Sequence, residues 1–267
     1  NLWFKKPDGE IIRNEMRPLD RDLDTLPFPD KSIFYEYGAF KDRLYVMASR
    51  GCPYKCTYCF NHNYQRFYKG LGNWVRFRKP QKVIEEIVHF KKKYPSIKEV
   101  QFYDDNFTLK KVWTLELCKL YKEQVFDVYR MPFKALVRPD QIDIEVARAL
   151  KESGCVYVDM GVESGDDYIR NEILKRDMSD EQIINAANCF HEVNLPFTSL
   201  NMVGFPNETP EQMFKTIELN QKIKPTGALL TTFFPFPKTD LAELAVREGY
   251  INEKNYAQMM EGHVSYK

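Results

Sequence analysis

Cysteine is scarce in this chain, with six among 267 residues, and half of those fall in one short stretch. That distribution does not make the disulfide framework of a small secreted domain, so a reduced, cytoplasmic setting is the expectation. No apolar run approaches the ~18 residues that a membrane span needs, and no basic-then-apolar opening reads as a signal peptide. Neither sign of charge prevails: 39 Lys and Arg stand against 38 Asp and Glu, a net charge of +1. Such a balance gives no electrostatic footprint for nucleic acid or for a membrane surface. An initiator methionine is also missing, since Asn1 opens the chain, and an excerpt of a longer protein is expected.

What is present is a concentrated group of thiols. Cys52, Cys56 and Cys59 stand at CxxxCxxC spacing in Arg50-Gly51-Cys52-Pro53-Tyr54-Lys55-Cys56-Thr57-Tyr58-Cys59-Phe60. They follow an apolar run that reads as a strand, with Gly51 and Pro53 turning the chain out of it. Three soft ligands on one strand-end loop suit an iron–sulfur cluster held by three thiolates, which leaves one iron open to a substrate or cofactor. The alternative is a Cys3His zinc module that takes His62, the only close histidine, as fourth ligand. Cys118, Cys155 and Cys189 lie apart in apolar patterns, match no second cluster, and are read as small core residues.

The rest of the chain reads in order. Residues 1–43 hold two apolar runs around an Asp-Gly turn, expected to form a hairpin, then an extended linker carrying Pro18, Pro27 and Pro29. From residue 44 short strand-like runs alternate with helical patterns. Strands are expected at 44–49, 99–104, 133–137, 156–161, 198–203 and 228–233. Helices are expected at 81–94, 108–125 and 143–152, the last ending at Gly154 as a left-handed cap. Two capping-box sequences, Ser179-x-x-Gln182 and Thr209-x-x-Gln212, open the next helices, and 239–248 closes the series. Residues 44–250 thus form one α/β domain, and 251–267 begin a C-terminal extension. Periodicity alone leaves open a doubly wound sheet or a partial barrel. The aromatic-rich stretch 60–77 is read as a long loop packed over the cysteines in preference to a base-stacking surface.

In parallel α/β folds the functional groups gather at the carboxyl ends of strands. There this sequence places Asp104-Asp105-Asn106, able to receive an ammonium group, though strand pleating keeps all three from pointing inward together. Capping the next helix is their other reading. Arg138 offers a planar fork for a carboxylate. Glu163-Ser164-Gly165 offers hydrogen-bond acceptors at a turn. Asp159, two residues before Gly161, is an acid of the barrel interior with no assigned role.

On these residues the chain resembles the radical S-adenosylmethionine enzymes, whose signature is CxxxCxxC with an aromatic, here Tyr58, before the last cysteine. RGCPYKCTYCFN, together with Arg17-Pro18-Leu19-Asp20 and Leu23-Asp24-Thr25-Leu26-Pro27-Phe28-Pro29-Asp30, resembles the branch that carries a cobalamin-binding domain ahead of the barrel. The resemblance implies a partial (β/α)6 TIM-like barrel. It also implies a [4Fe-4S] cluster on Cys52, Cys56 and Cys59, with S-adenosylmethionine on the open iron. By the same likeness Asp104, Asp105 and Asn106 inherit the methionine amino group and Arg138 is offered to the carboxylate. Glu163 and Ser164 match the ribose site, and Gly204 and Phe205 match the element that lies along the adenine. It further implies a small-molecule substrate and an external one-electron donor such as flavodoxin or ferredoxin. Reductive cleavage of the cofactor would start radical chemistry on an unactivated carbon, ending in methyl transfer, cyclisation or rearrangement. No histidine lies in an Asp-x-His-x-x-Gly context, so cobalamin, where used, would be bound by a segment outside this chain. A tRNA methylthiotransferase is the rival within the class, but it needs a second cluster and a basic module that the sequence does not display.

Overall fold

The computed structural model describes residues 2–261. An antiparallel hairpin opens it, β1 (Trp3–Lys5) and β2 (Ile11–Arg13), with Trp3 opposite Arg13. Its Asp-Gly turn is closed by a hydrogen bond from the Gly9 N–H to the Lys6 carbonyl, and Gly9 takes the left-handed φ of 90° that the turn requires. The following linker contains a short turn at Leu23–Thr25 and a one-turn helix, α1 (Ser32–Glu36). It is not loose, because Leu23 and Lys31 are both buried.

The chain then runs β3 (Arg43–Val46), β4 (Ser49–Arg50), α2 (Phe60–Phe67), β5 (Arg76–Phe77) and α3 (Pro80–Lys93). Next come β6 (Glu99–Phe102), α4 (Lys111–Tyr121), α5 (Asp127–Tyr129), β7 (Phe133–Val137), α6 (Ile144–Glu152) and β8 (Cys155–Glu163). The series ends with α7 (Asp180–Glu192), β9 (Phe197–Val203), α8 (Pro210–Ile223), β10 (Gly227–Thr232), α9 (Asp240–Arg247) and α10 (Glu253–Met260). Six strands pair side by side in the order β3-β6-β7-β8-β9-β10, every pair parallel. Spatial order equals chain order. A doubly wound sheet reverses its order at a switch point, whereas a sheet that always steps the same way curls toward a barrel. The open choice of the sequence is thereby decided for the partial (β/α)6 barrel.

Strand alternation sets the two faces. In β7, Phe133, Ala135 and Val137 are buried against helices, while Lys134 and Leu136 turn to the barrel interior and are half-buried. The outward residues meet Val83 and Ile87 of α3, Leu117 of α4, Val146 of α6 and Ile183 of α7 in one continuous core. Helix starts follow the capping chemistry: Ser179 with Gln182, and Thr209 with Gln212, form reciprocal capping boxes, and the Asp143 carboxylate accepts from the Val146 N–H.

Three expectations are corrected. The first strand leaves the barrel at Val46, and Ser49–Arg50 pairs antiparallel with Arg76–Phe77. Residues 60–77 are not a single loop but contain α2 and β5. The helix expected at 108–125 starts at Lys111 and widens into a π-helical turn at Lys122–Phe126. Of the expected C-terminal extension, 251–261 carry α10, and 262–267, with His263, lie outside the described residues.

Candidate functional site

The cysteine loop is fastened at one end by carboxylates that follow β6 and at the other by hydrogen bonds of Thr57 to the backbone of other segments. Asp104, just past β6, is 3% exposed. Its carboxylate accepts the backbone N–H groups of Ala48 and Ser49 and the Ser49 hydroxyl, which pulls the chain out of β3. Burial pushes the Asp104 carboxyl up to about 6, against the pull of those hydrogen bonds. Asp105 accepts from the Gly51 N–H at 3.2 Å and from Asn61 Nδ2 at 2.7 Å. Gly51 has φ of 84°, and a Cβ there would stand 2.5 Å from the Trp74 carbonyl oxygen. No other residue fits. At the far end the Thr57 N–H and hydroxyl donate to the carbonyls of Leu174 and Ile173, and the Thr57 carbonyl accepts from the Leu241 N–H.

All three loop cysteines are free thiols, with Cys56 buried and its two companions half-buried. Burial pushes Cys52 up to about 11 and raises Cys59, so without a metal to displace their protons these groups stay neutral.

Two arginines join the loop to the strand ends beside it. Arg138, after β7, pairs with Asp140 through Nε (2.9 Å) and Nη2 (3.1 Å), and Nη2 also donates to the Arg176 carbonyl. Its guanidinium lies 3.6 Å from the ring centroid of Tyr54, in the middle of the cysteine loop. Arg176 donates from Nη1 to the Tyr58 hydroxyl (2.7 Å) and Glu163 Oε1 (3.2 Å), and from Nη2 to the Gly161 carbonyl. Glu163 itself has φ of 69°, where the pairing of β8 with β9 slips register. Burial raises its pKa while Arg176 opposes the shift. Sequence reasoning missed Arg176, since Lys175-Arg176-Asp177 has the look of a solvated charge run, yet its side chain is 4% exposed. It also missed Arg170, wholly buried, which donates to the Ser164 and Met178 carbonyls and to Asp180, and so shapes the turn after Glu163.

A cavity of about 480 Å³ brings Cys52, Cys56 and Cys59 together with Tyr58, Asp104, Asp105, Arg138, Asp159, Glu163 and Arg176. Five residues of the expected site elements do not line it. Asn106 is buried beside Thr108, whose hydroxyl donates to it. Ser164 is fully buried and its hydroxyl accepts from the Asp166 N–H. Gly165 serves packing, because a Cβ there would stand 2.2 Å from the Lys215 carbonyl oxygen of α8. The Gly204 and Phe205 N–H groups both donate to Glu208, and the Phe205 ring is buried in a small second core with Ile169, Leu174 and Leu241. These five shape the loops around the cavity. The Cys3His alternative also fails, since His62 Nδ1 lies 3.5 Å from Asp240 Oδ2 and outside the cavity lining.

The fold is thus a six-stranded partial barrel with a triple-cysteine loop at the carboxyl end of its sheet. A family model described as the Radical SAM superfamily matches residues 46–219, and the chain belongs to that family. It is 30% identical to an uncharacterized methyltransferase of Pyrococcus horikoshii over 254 residues, which is 94% of this chain and 53% of the relative. To the cytidylyl-2-hydroxyethylphosphonate methyltransferase of Streptomyces wedmorensis it is 23% identical over 267 residues, covering 92% of this chain and 48% of that protein. Among solved structures, the radical S-adenosylmethionine methyltransferase TsrM from Kitasatospora setae is similar with a TM-score of 0.72 at 17% identity. That match covers 92% of this chain and 48% of the other. The chain spans about half the length of the curated relatives it matches.

The family implies a [4Fe-4S] cluster and S-adenosylmethionine, and the donor set fits both. Among the described residues no three His, Cys, Asp or Glu side chains converge as a single ion demands. A cluster asks less, because each thiolate ligates a different iron. Beside the thiols, Arg138 Nη1 and Arg176 Nε are buried without a partner. Unmet cationic donors of this kind suit a ligand that carries a carboxylate.

Proposed function

We propose that this chain is the radical-generating barrel of a radical S-adenosylmethionine enzyme in which Cys52, Cys56 and Cys59 hold the cluster. When bound, the cluster supplies the electron that cleaves a carbon–sulfur bond of S-adenosylmethionine and so starts radical chemistry on an unactivated carbon. The chain's own residues position and enclose. Asp104 and Asp105 fix the loop backbone, and Asp105 in addition faces the place where the methionine amino group is proposed to lie. Arg138 and Arg176 supply the free N–H donors for the carboxylate, and Glu163, oriented by Arg176 and Tyr58, accepts from the ribose hydroxyls. Methyl transfer is the outcome that the names of the relatives favour, with cobalamin held by a segment outside residues 1–267 and an external one-electron donor.

The observation that carries this reading is the convergence of three free thiols at CxxxCxxC spacing and two incompletely paired arginines on one cavity. Anaerobic reconstitution with iron and sulfide, then dithionite reduction and electron paramagnetic resonance with and without S-adenosylmethionine, tests it. The expected result is a reduced [4Fe-4S] signal that changes when S-adenosylmethionine is added and is lost in Cys56→Ala. A chain that takes up no cluster, or whose cluster ignores S-adenosylmethionine, would overturn the proposal.

A further inference from the structure

Each charged group of the cavity except one is already engaged. Asp104 holds Ala48 and Ser49, Asp105 holds Gly51 and Asn61, and Glu163 holds Arg176. Arg138 holds Asp140 and the Arg176 backbone. The exception is Asp159. It lines the cavity, and beyond the backbone ladder of β8 its carboxylate makes no hydrogen bond or ion pair among the described residues.

Its position is fixed by strand register. Leu136 of β7 pairs with Asp159 of β8, which pairs with Thr198 of β9. Asp159 therefore stands one inward-facing layer below Gly161, on the barrel wall and away from the loop that carries the cysteines. Of the inward residues nearest in register, Leu136 in its own layer and Leu200, paired with Gly161 in the layer above, are apolar, while Thr198 on the β9 side donates its hydroxyl to the Tyr157 hydroxyl at 2.8 Å. Lys134, one layer below, is the cation that acts on Asp159 through space, but its ammonium pairs with Glu99 at 3.5 Å. Burial raises the Asp159 pKa, as expected of a carboxylate that has lost water without gaining a donor. A half-buried carboxylate with no partner costs stability, and a fold retains that cost where a ligand relieves it.

We propose that Asp159 is the specificity-determining residue for substrate, receiving the ammonium or other charged N–H group of a molecule whose remaining body is apolar and lies against Leu136 and Leu200. The assignment rests on the reading of this cavity as the radical site and extends it to the substrate class. A cationic donor opposite a carboxylate makes a charge-assisted hydrogen bond, stronger than the neutral pairing an alcohol would make. An anionic substrate would meet repulsion from Asp159, whereas the Glu163 charge is offset by Arg176.

Three probes with one apolar body test this: n-hexylammonium, 1-hexanol and hexanoate, titrated by ligand-observed NMR at pH 7 into the reconstituted chain with S-adenosylmethionine present. Hexylammonium is expected to bind at least about tenfold more tightly than hexanol, with hexanoate weakest. In Asp159→Asn the ammonium preference should fall to about twofold or less, while Asp159→Glu keeps most of it. Paramagnetic resonance on the same samples reports the cluster and its response to S-adenosylmethionine, both expected to be unchanged in the two variants. An intact cluster with no ammonium preference, or a preference that survives in Asp159→Asn, overturns this assignment and leaves the functional reading standing. Absence of the cluster signal in the wild-type chain overturns that reading and this assignment with it.

Discussion

At the scale of single residues, Asp104 exchanges charge stability for loop geometry. Its carboxyl titrates near 6 in the folded chain against a reference value of 3.8. The folded state therefore holds the proton more firmly, so stability falls as pH rises from about 4 to about 6 and is flat above that window. The size is on the order of 3 kcal/mol. Asp104→Asn removes this titration, so the wild type's advantage over the variant in urea unfolding should be about 3 kcal/mol larger at pH 4 than at pH 7. Equal differences at the two pH values would show that Asp104 does not carry the slope. Such roles are only partly legible in sequence. Cys52, Cys56, Cys59 and Glu163 announce themselves through spacing and strand-end position. The division of labour between Asp104 and Asp105 depends on which way each side chain turns at the end of β6. Arg176 is silent because nothing in the sequence distinguishes a buried arginine from the surface lysine beside it.

At the scale of elements, the six barrel strands and the helices with capping boxes were readable because local chemistry and hydrophobic period agree there. The two-residue ladder of β4 and β5 was not, since its pairing depends on Asp104 drawing Ala48 and Ser49 away from the sheet. The linker shows the same limit. Its prolines imply an extended path, but not that Lys31 would be buried between α3 and β3, where Nζ reaches Glu86 Oε1 at 2.7 Å and the Tyr45 carbonyl at 2.7 Å. Glu86, 2% exposed, also receives Arg78. Removing the shared carboxylate strands two cations, so Glu86→Gln should cost about 3–5 kcal/mol in urea unfolding. A loss under about 1 kcal/mol would mean that the linker is undocked in solution.

At the scale of the molecule, monotonic strand order leaves β10 as an open edge, with Leu229 and Leu230 each more than half exposed. The opposite quality belongs to the cysteine loop, which is secured by Asp104, Asp105, Thr57 and the Gly51–Trp74 contact, all independent of metal. The metal-free chain should therefore show the far-ultraviolet circular dichroism of the reconstituted one and a cooperative thermal transition. A non-cooperative, largely unfolded apoprotein would refute this, as it does for domains whose fold is made by their metal. The order of assembly expected on the proposed function is polypeptide first, iron and sulfide afterwards, into a socket already formed. On the proposed function, loss of the cluster is expected to leave the fold standing, so that iron and sulfide added to still-reduced thiols rebuild it without a round of refolding.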